Sequence, residues 1–407
     1  MSADGRSAAQ PLAGIRVVEI ASFVAAPLAG MTLRQLGAEV IRVDPLGGAA
    51  DHHRWPLSAD GESIYWTGLN KGKRSVAADL RAPAAQQLIT RLITEGPAGG
   101  ILLTNTAGRA WLDYDTLVRL RPDLIRVEIL GRADGSTAVD YTVNAAIGFP
   151  LVTGPADHAE PVNQVLPAWD LLCGMYSALA IAAAVRHRDA TGEGSRITLP
   201  LEDVALATAG NLGFLTEAML CAAPRPRLGN AIYGQYGQHF HGADGTTFMV
   251  VALTPRHFRE LADLTGTGKA VEALATALDA DFTDEGTRYH HRDVLTGLFA
   301  PWFRERPGAT IAAALARTSI LWERYRTFHE VATDPRVTAN PLFTPLRQPG
   351  VGTYLAPGAP ASVNGEHTPS APAPRLGADT ATVLRELGLS PAAVTELLEA
   401  GVVATEI

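Results

Sequence analysis

Apolar segments with two different periods alternate through the first 130 residues of this 407-residue chain. The strand-like segments are short, rich in Val and Ile, and lie at 15–20, 38–44, 75–80, 100–104 and 124–130. Helical spacing of apolar residues predicts helices at 26–37, 82–95, 112–121, 170–188 and 201–221, and a further strand is predicted at 195–199. Strands that alternate with helices of this length form βαβ units, so the chain is predicted to fold around a parallel sheet.

A change of composition predicts where this first domain ends. The segment 222–227 is rich in Pro and Arg, and the Asp-Gly pair at 244–245 predicts a hairpin, after which helical segments continue to about residue 317. The stretch 334–374, rich in Pro, Gly and Ala, is expected to be an extended connection before a final helical pair. We therefore predict a large α/β domain at 1–222 and a smaller α+β domain at 223–333.

Charge and cysteine content restrict the classes of function. The net charge is −8 with no basic run, which argues against nucleic acid or an anionic membrane as the main partner. Two cysteines, Cys173 and Cys221, are too few for a disulfide framework or a Cys-based zinc site and fit a reducing cytosol. Residues 1–10 have no apolar core, and the apolar run 177–185 is too short to span a bilayer. A cytoplasmic protein is expected.

Asp170 stands out because it lies between Pro167, which ends any preceding element, and the alanine-rich run 177–185. An acid at this place is first of all a helix N-cap that accepts from the amides of the first turn. The second interpretation is a carboxylate nucleophile that the same amides and the helix dipole keep ionised. This segment by itself leaves both interpretations open.

Other candidate residues follow the predicted strands, at the edge where open α/β sheets bind ligands. Small residues at 21–27 either admit a ligand close to the backbone or simply pack a helix on the sheet, and Asn105 is either an amide-binding group or a turn residue. Four basic side chains are either phosphate ligands or part of a solvated loop: Lys71, Lys73, Arg74 and Arg81. Glycine-rich nucleotide motifs and a Gly-x-Ser-x-Gly motif are absent from the sequence.

The eleven histidines do not predict a metal site. His52-His53 and His290-His291 are adjacent pairs whose side chains diverge, so they make poor joint ligands. His239 and His241 share a face of a predicted strand, but no carboxylate stands at a ligand spacing from them. No metal is expected.

Five segments of the chain together carry a family likeness: Pro11–Ile20, Leu36–Asp44, Asn70–Ser75, Thr191–Ser195 and Pro374–Ala378. They resemble the class III CoA-transferase family, the group of crotonobetainyl-CoA and formyl-CoA transferases. The resemblance covers nearly the whole chain, and Asp170 matches the catalytic aspartate of the family. It implies a Rossmann-like large domain with a parallel sheet, which the C-terminal segment 334–407 completes. It also implies a smaller α+β domain near 225–330 and two chains interlocked as a homodimer.

The resemblance also implies where CoA binds. Val24 and Ala25 are expected near CoA, and four residues are expected along the nucleotide or pantetheine path: Leu80, Arg81, Asn105 and Thr106. One departure concerns Pro45, because family members often carry an Arg just after the acid of the second strand. The phosphate contact is therefore expected from Arg42 or Lys73.

The reaction implied by the resemblance is a transfer of CoA between the two carboxyl groups of one bound mesaconate, through an anhydride and a thioester of Asp170. Segments 22–32, 68–75, 139–144 and 165–170 carry this finer likeness. The only cofactor implied is CoA itself, carried as the substrate thioester. Amides around Gly229 and Gly234 are expected to stabilise the oxyanions. Candidates for the free carboxylate are Arg132, Gln164, Tyr233 and His239.

Three alternatives are kept. A CoA transfer to a second, free carboxylic acid would use the same Asp170. A racemase of the same fold needs a His as one of its acid/base groups, directly before Asp140, where this chain has Val139. A non-catalytic CoA-binding protein would never form an adduct at Asp170.

Overall fold

A computed structural model of the chain describes residues 10–106 and 108–406. The N-terminal stretch, from which no secretory signal was expected, lies outside the described residues except for Gln10. The strands are β1 (Arg16–Ile20), β2 (Glu39–Asp44), β3 (Arg74–Ala78), β4 (Ile101–Thr104), β5 (Ile125–Leu130), β6 (Ser195–Pro200), β7 (Tyr236–His241), β8 (Thr247–Ala252), β9 (Leu321–Arg324), β10 (Phe343–Gln348), β11 (Gly352–Pro357), β12 (Ser362–Val363), β13 (Glu366–His367) and β14 (Val403–Ala404).

The helices are α1 (Ala25–Gln35), α2 (Ile64–Leu69), α3 (Pro83–Thr94), α4 (Tyr114–Leu117), α5 (Asp140–Ile147), α6 (Phe149–Val152), α7 (Ala168–Thr191), α8 (Leu201–Asn211), α9 (Phe214–Leu220), α10 (Pro255–Thr265), α11 (Gly268–Leu278), α12 (Glu285–His290), α13 (Arg292–Arg304), α14 (Gly308–Leu315), α15 (Phe328–Thr333), α16 (Pro335–Thr338), α17 (Thr380–Glu386) and α18 (Pro391–Glu399). One turn of 3-10 helix lies at Ala110–Leu112.

These elements pack as two compact units. The first contains the described residues up to Ile147, then Val165–Thr216 and the chain from Pro335 onward. The second contains Gly148–Gln164 and Glu217–Asp334. The segment 148–164, placed in the large domain by the sequence prediction, thus packs with the second unit.

The first unit is built on a seven-stranded sheet in the order β14-β3-β2-β1-β4-β5-β6. Its six longer strands are parallel, and β14 joins β3 antiparallel at one edge. The central strands β1 and β4 are buried along almost their whole length, as expected for a parallel sheet with both faces covered. The parallel sheet predicted from the sequence is confirmed.

Several elements differ from the sequence prediction. The predicted helix 201–221 is two helices, because the chain turns at Gly213, where φ is +82°. The supposed extended connection 334–374 contains the antiparallel pair β10–β11, whose turn places Gly350 at φ +71°. The Pro and Gly residues of this segment correctly predicted its turns, but the same composition gave no prediction of the strands between them.

The second unit carries a three-stranded antiparallel sheet, β7-β8-β9, covered by α10 to α14. The hairpin predicted around the Asp-Gly pair is confirmed as β7–β8. Its core is aromatic, and the rings of Phe240 and Phe303 stack with their centroids 4.2 Å apart.

Helix α7 is the longest helix among the described residues, with 24 residues, and it packs against α1. Gly174 makes this close approach possible, since a Cβ there would lie 2.7 Å from the carbonyl oxygen of Ala25. The helix is long and apolar enough to cross a membrane by length and composition alone, a test that core helices also pass. Its packing brings its N-terminus beside the loop that follows β1.

Candidate active site

A cavity of about 750 Å³ lies in the first unit at the carboxyl ends of β1, β4 and β5. Its walls come from the loop Ser22–Ala25, the segment Arg54–Pro56, the start of α5 and the start of α7. This is the place where open α/β sheets bind ligands, because the loops that follow parallel strands converge there.

Asp170 lines this cavity as the third residue of α7. The prediction that Asp170 caps the helix is wrong, since Pro167 occupies the N-cap position. The amides of the first turn are capped instead by Asp140, whose Oδ2 accepts from the N–H groups of Trp169 at 2.8 Å and Asp170 at 3.2 Å. The N-terminus of α7 is therefore held by a carboxylate from α5.

The charge state of Asp170 differs from the sequence expectation as well. Burial, followed by the negative charge of Asp140, raises the pKa of Asp170 to about 7, and the positive charge of Arg54 lowers it in part. The amides expected to keep Asp170 ionised donate to Asp140 instead. Within the described part of the chain, nothing donates a hydrogen bond to the Asp170 carboxylate. Such a carboxylate is a better nucleophile than a fully solvated or hydrogen-bonded one.

Asp140 itself is buried, with 3% of its surface exposed. Burial raises its pKa, and the two amides of α7 oppose this effect. Its second oxygen, Oδ1, has no hydrogen-bond partner within the described residues. Sequence analysis assigned Asp140 no site role of its own, although segment 139–144 carries part of the finer family likeness and Val139 stands at the position of the racemase histidine. Val139 lines the cavity with an apolar side chain, so the position of the racemase histidine offers no acid or base.

Arg54 is a second cavity residue that sequence analysis missed. Its guanidinium carbon lies 5.5 Å from the ring centre of Phe23 and 4.8 Å from that of Tyr65. Phe23 has a φ of +67°, a left-handed conformation that a bulky residue rarely adopts and that is found at functional sites. No periodicity or motif around residue 54 signalled this arrangement, because it depends on contacts between separate loops.

The comparisons with known proteins agree with this architecture. A family model described as CoA-transferase family III matches residues 12–380. The chain belongs to this family.

The chain is 47% identical over 399 residues to the 2-methylfumaryl-CoA isomerase of Chloroflexus aurantiacus, covering 97% of this chain and 98% of that protein. It is 31% identical to the succinate–glutarate CoA-transferase of Agrobacterium fabrum, covering 93% and 96% of the two chains. The crystal structure of a CAIB/BAIF family protein from Brucella suis matches it with a TM-score of 0.77 at 26% identity, covering 93% and 99%.

Three of the CoA contacts implied by the family resemblance line the cavity together with Asp170: Val24, Ala25 and Asn105. The Asn105 side chain bridges to the loop after β1, donating to the Ser22 carbonyl at 2.8 Å and accepting from its N–H at 3.1 Å. Thr106 lies beside it, half-buried, with its hydroxyl directed to the Ile20 carbonyl. Asn105 thus fixes the shape of the loop that forms one cavity wall.

The phosphate contact expected from Lys73 or Arg42 does not fit the structure. The Lys73 ammonium is buried and bonds both Glu19 oxygens, at 2.9 and 2.8 Å, the Pro27 carbonyl and Asn70. Arg42 is fully buried and bonds Asp44 through two nitrogens, at 2.8 and 2.9 Å. Both cations neutralise carboxylates inside the sheet, which leaves neither for a phosphate.

The other two CoA positions differ in exposure. Leu80 is a member of the hydrophobic core of the first unit, with 5% of its surface exposed. Arg81 is exposed in the turn before α3, where its backbone N–H donates to Asp79. A phosphate contact from Arg81 stays a prediction, whereas Leu80 contributes packing beneath the surface.

Four residues expected at the oxyanions or at the free carboxylate belong to the second unit: Gln164, Gly229, Tyr233 and Gly234. The Gly229 N–H donates to the Gly154 carbonyl at 3.0 Å, so this amide already has an acceptor. The Tyr233 hydroxyl donates to Glu217. The oxyanion role of Gly229 and Gly234 and the carboxylate role of Gln164 and Tyr233 stay predictions.

Of the other two candidates for the free carboxylate, His239 also lies in the second unit. Its Nδ1 lies 2.9 Å from the side-chain oxygen of Gln238. Arg132 lies in the first unit and pairs with Glu202 at 3.0 Å, so its charge is already balanced.

Proposed function

We propose that this protein is a 2-methylfumaryl-CoA isomerase, which moves CoA from the C1 to the C4 carboxyl group of mesaconate within one bound substrate. The observation that carries this proposal is the 47% identity, over 97% of the chain, to a protein of that name. The placement of Asp170 in the cavity, without hydrogen bonds from the described residues, supports its role as the nucleophile.

The first half of the reaction transfers CoA to the protein. A carboxylate oxygen of Asp170 bonds to the C1 thioester carbon, the C–S bond breaks, and its electron pair leaves with the CoA thiolate. The product is a mixed anhydride between mesaconate and Asp170. The thiolate then attacks the Asp170 carbonyl of this anhydride, so that an aspartyl-CoA thioester forms and mesaconate is released as a free dicarboxylate in the site.

The second half repeats these steps at the other end of the same mesaconate. An oxygen of its C4 carboxylate attacks the aspartyl-CoA thioester, and CoA thiolate leaves again. The thiolate finally attacks the C4 carbonyl of the new anhydride, and the C–O bond to Asp170 breaks, which regenerates the free carboxylate. No net proton, electron or external acid is consumed.

The proposal includes a route for CoA and a quaternary state. Val24, Ala25, Asn105 and Thr106 would lie along the pantetheine, and Arg81 would meet a phosphate. We propose a cytoplasmic homodimer with interlocked chains. The apolar side chains exposed along α7 support a covered surface there: Leu172, Met175, Tyr176 and Leu179.

An intermolecular transfer to a free acid is the second candidate, and the 31% identity to a succinate–glutarate CoA-transferase favours it. The deciding experiment incubates the purified protein with mesaconyl-C1-CoA alone and follows mesaconyl-C4-CoA by chromatography. Formation of the C4 isomer without added acid is expected. A strict requirement for a free carboxylic acid would reject the isomerase proposal in favour of the intermolecular one.

A third candidate, a non-catalytic CoA-binding protein, is tested at Asp170. Borohydride reduction during turnover should trap the aspartyl-CoA thioester at this residue, and Asp170→Ala should abolish both the trapped product and the isomerisation. An Asp170→Ala variant that retains full activity would remove Asp170 from the mechanism.

A further inference from the structure

We propose that Arg54, assisted by the Tyr65 hydroxyl, binds the substrate carboxylate that does not carry CoA. The inference rests on the proposed function, because a dicarboxylic acyl group is what gives the substrate this second charge. It assigns to Arg54 a specificity role that neither the sequence patterns nor the family resemblance supplied.

Arg54 has no ion-pair partner among the described residues. Arg54 is the only Lys or Arg side chain among the described residues that line the cavity. No described carboxylate lies within ion-pair distance of its guanidinium, and its side chain hydrogen-bonds none of the described residues. A cation left unpaired at the wall of a largely apolar cavity is suited to an anionic ligand, here a planar carboxylate.

Arg54 is also held in place by aromatic contacts before any ligand arrives. The guanidinium of Arg54 lies over the rings of Phe23 and Tyr65. Contact with a ring face does not use the N–H donors of the guanidinium, so they stay available for a ligand. The left-handed backbone at Phe23 directs the loop after β1 into this arrangement. A donor set fixed in advance loses little conformational entropy on binding.

The Tyr65 hydroxyl offers a second hydrogen-bond donor in the same cavity. It is buried and has no hydrogen-bond partner within the described residues. Burial raises the pKa of Tyr65 to about 12, so the hydroxyl stays protonated and can only gain by donating to an anion. Tyr65 and Arg54 line the same cavity as Asp170, and the charges of both Arg54 and Asp170 act on Tyr65. A carboxylate bound by this pair would therefore lie near the nucleophile.

This placement fits the needs of an intramolecular transfer. Between the two halves of the reaction, mesaconate is free of covalent bonds and must stay in the site. A fixed Arg54 would hold one carboxylate while the other reacts with Asp170, and would bind either end after the exchange.

The test compares two thioesters that differ only at the second carboxylate. Mesaconyl-C1-CoA carries it, whereas tiglyl-CoA has a methyl group in its place. Single-turnover formation of the CoA adduct on the protein is followed by rapid quench and intact-protein mass. The measurements are made well above pH 7, so that loss of the Arg54 charge does not change the ionisation of Asp170, whose pKa is about 7.

Arg54→Gln is expected to slow adduct formation from mesaconyl-C1-CoA about 10- to 100-fold, because a charge-assisted hydrogen-bond pair is lost. The rate of adduct formation from tiglyl-CoA should not change. Tyr65→Phe should show the same selectivity with a smaller loss, about 3- to 10-fold. Arg119→Gln removes an exposed arginine that does not line the cavity and should change neither substrate. Arg54→Lys should recover part of the activity with mesaconyl-C1-CoA.

Equal losses with both thioesters would overturn the inference, since Arg54 would then serve Asp170 or the CoA moiety. No loss with either thioester would overturn it too. Production of the C4 isomer by the wild-type protein is measured separately, so a failure of the proposed function is distinguished from a failure of the Arg54 assignment.

Discussion

Two carboxylates with different surroundings meet at the start of α7. Asp140 accepts two backbone hydrogen bonds, which favour its ionised form, whereas Asp170 accepts none from the described residues. When two such groups interact, the proton is held by the one whose charge is less well stabilised. Asp170 therefore stays protonated up to about pH 7 and becomes a nucleophile above it.

This pair predicts the pH dependence of turnover. The kcat/KM of the wild-type protein should rise through an apparent pKa near 7 as Asp170 ionises. Asp140→Asn keeps an acceptor oxygen for the α7 amides and removes the negative charge, so the pKa of Asp170 falls and the rising limb moves to lower pH. Asp140→Ala also removes the cap and should lower the free energy of unfolding by about 0.5–2 kcal/mol. A rising limb that Asp140→Asn leaves in place would contradict this role of Asp140.

The raised pKa of Asp170 also has a consequence for stability. In the unfolded chain its pKa returns to about 3.8, so the folded protein loses stability from this group as the pH rises from about 4 to about 7. Asp170→Asn removes that cost and should raise the free energy of unfolding at pH 8 by about 2–4 kcal/mol, and by much less at pH 4. Chemical denaturation at both pH values measures the difference. Equal effects at the two pH values would show that the carboxylate is not destabilised by its burial.

At the scale of elements, α7 illustrates how far the sequence could go. Pro167 and the alanine-rich run correctly predicted a helix with Asp170 in its first turn. The cap could not be predicted, because Asp140 lies 29 residues before Trp169 and reaches α7 only through tertiary packing. Local patterns record neighbours along the chain and carry no direct sign of such contacts.

The basic cluster near β3 shows that a local pattern can also predict a site that tertiary contacts rule out. The cluster of Lys and Arg suggested a phosphate site, but Lys73 forms a buried ion pair with Glu19 inside the sheet. The signal that could have indicated this was Glu19 itself, a charged residue within the apolar strand Arg16–Ile20. A carboxylate at such a position needs a buried cation, so the two residues should have been paired.

The packing of α7 on α1 places Asp170, and Gly174 tests that dependence. Gly174→Ala puts a Cβ 2.7 Å from the Ala25 carbonyl oxygen, so the two helices must separate. The expected cost is about 1–3 kcal/mol of folding free energy, together with a loss of kcat because Asp170 shifts relative to the loop that follows β1. Gly210→Ala on α8 is the matched control, since its Cβ meets nothing within 4 Å. It should be neutral or slightly stabilising, by up to about 1 kcal/mol. Equal thermal stability and activity of the two variants would show that this contact does not position Asp170.

At the scale of the whole molecule, the C-terminal segment returns to the first unit and completes its sheet. β14 pairs with β3, and Asp379 accepts from the Ser75 N–H at 2.9 Å. The first unit therefore contains the active-site cavity and joins the described residues up to Ile147 to those from Pro335 onward, although the second unit lies between these segments in the sequence. Family resemblance supplied this connectivity, whereas the composition of 334–374 suggested only a linker.

The apolar face of α7 leads to a prediction about assembly. Leu172, Met175, Tyr176 and Leu179 recur at helical spacing on one face and are exposed, and Leu179 exposes 64% of its surface. Exposed apolar patches of this kind mark interaction surfaces, and the proposed dimer would cover this one. The wild-type protein should therefore sediment as twice the 43.0 kDa chain. Leu179→Glu would place a charge in the covered face and weaken the dimer by about 1–3 kcal/mol, or roughly 5- to 150-fold in dissociation constant.

The matched control is Leu120→Glu, which changes an exposed leucine of the first unit outside α7. Sedimentation equilibrium over a dilution series compares the three proteins, and thermal unfolding verifies that each is folded. Dissociation of Leu179→Glu at concentrations where the wild type and Leu120→Glu remain dimeric would support an interface at α7. A monomeric wild type would contradict an interface at α7. A Leu179→Glu variant that dimerises as tightly as the control would contradict it as well, because burying a new carboxylate in an interface is costly.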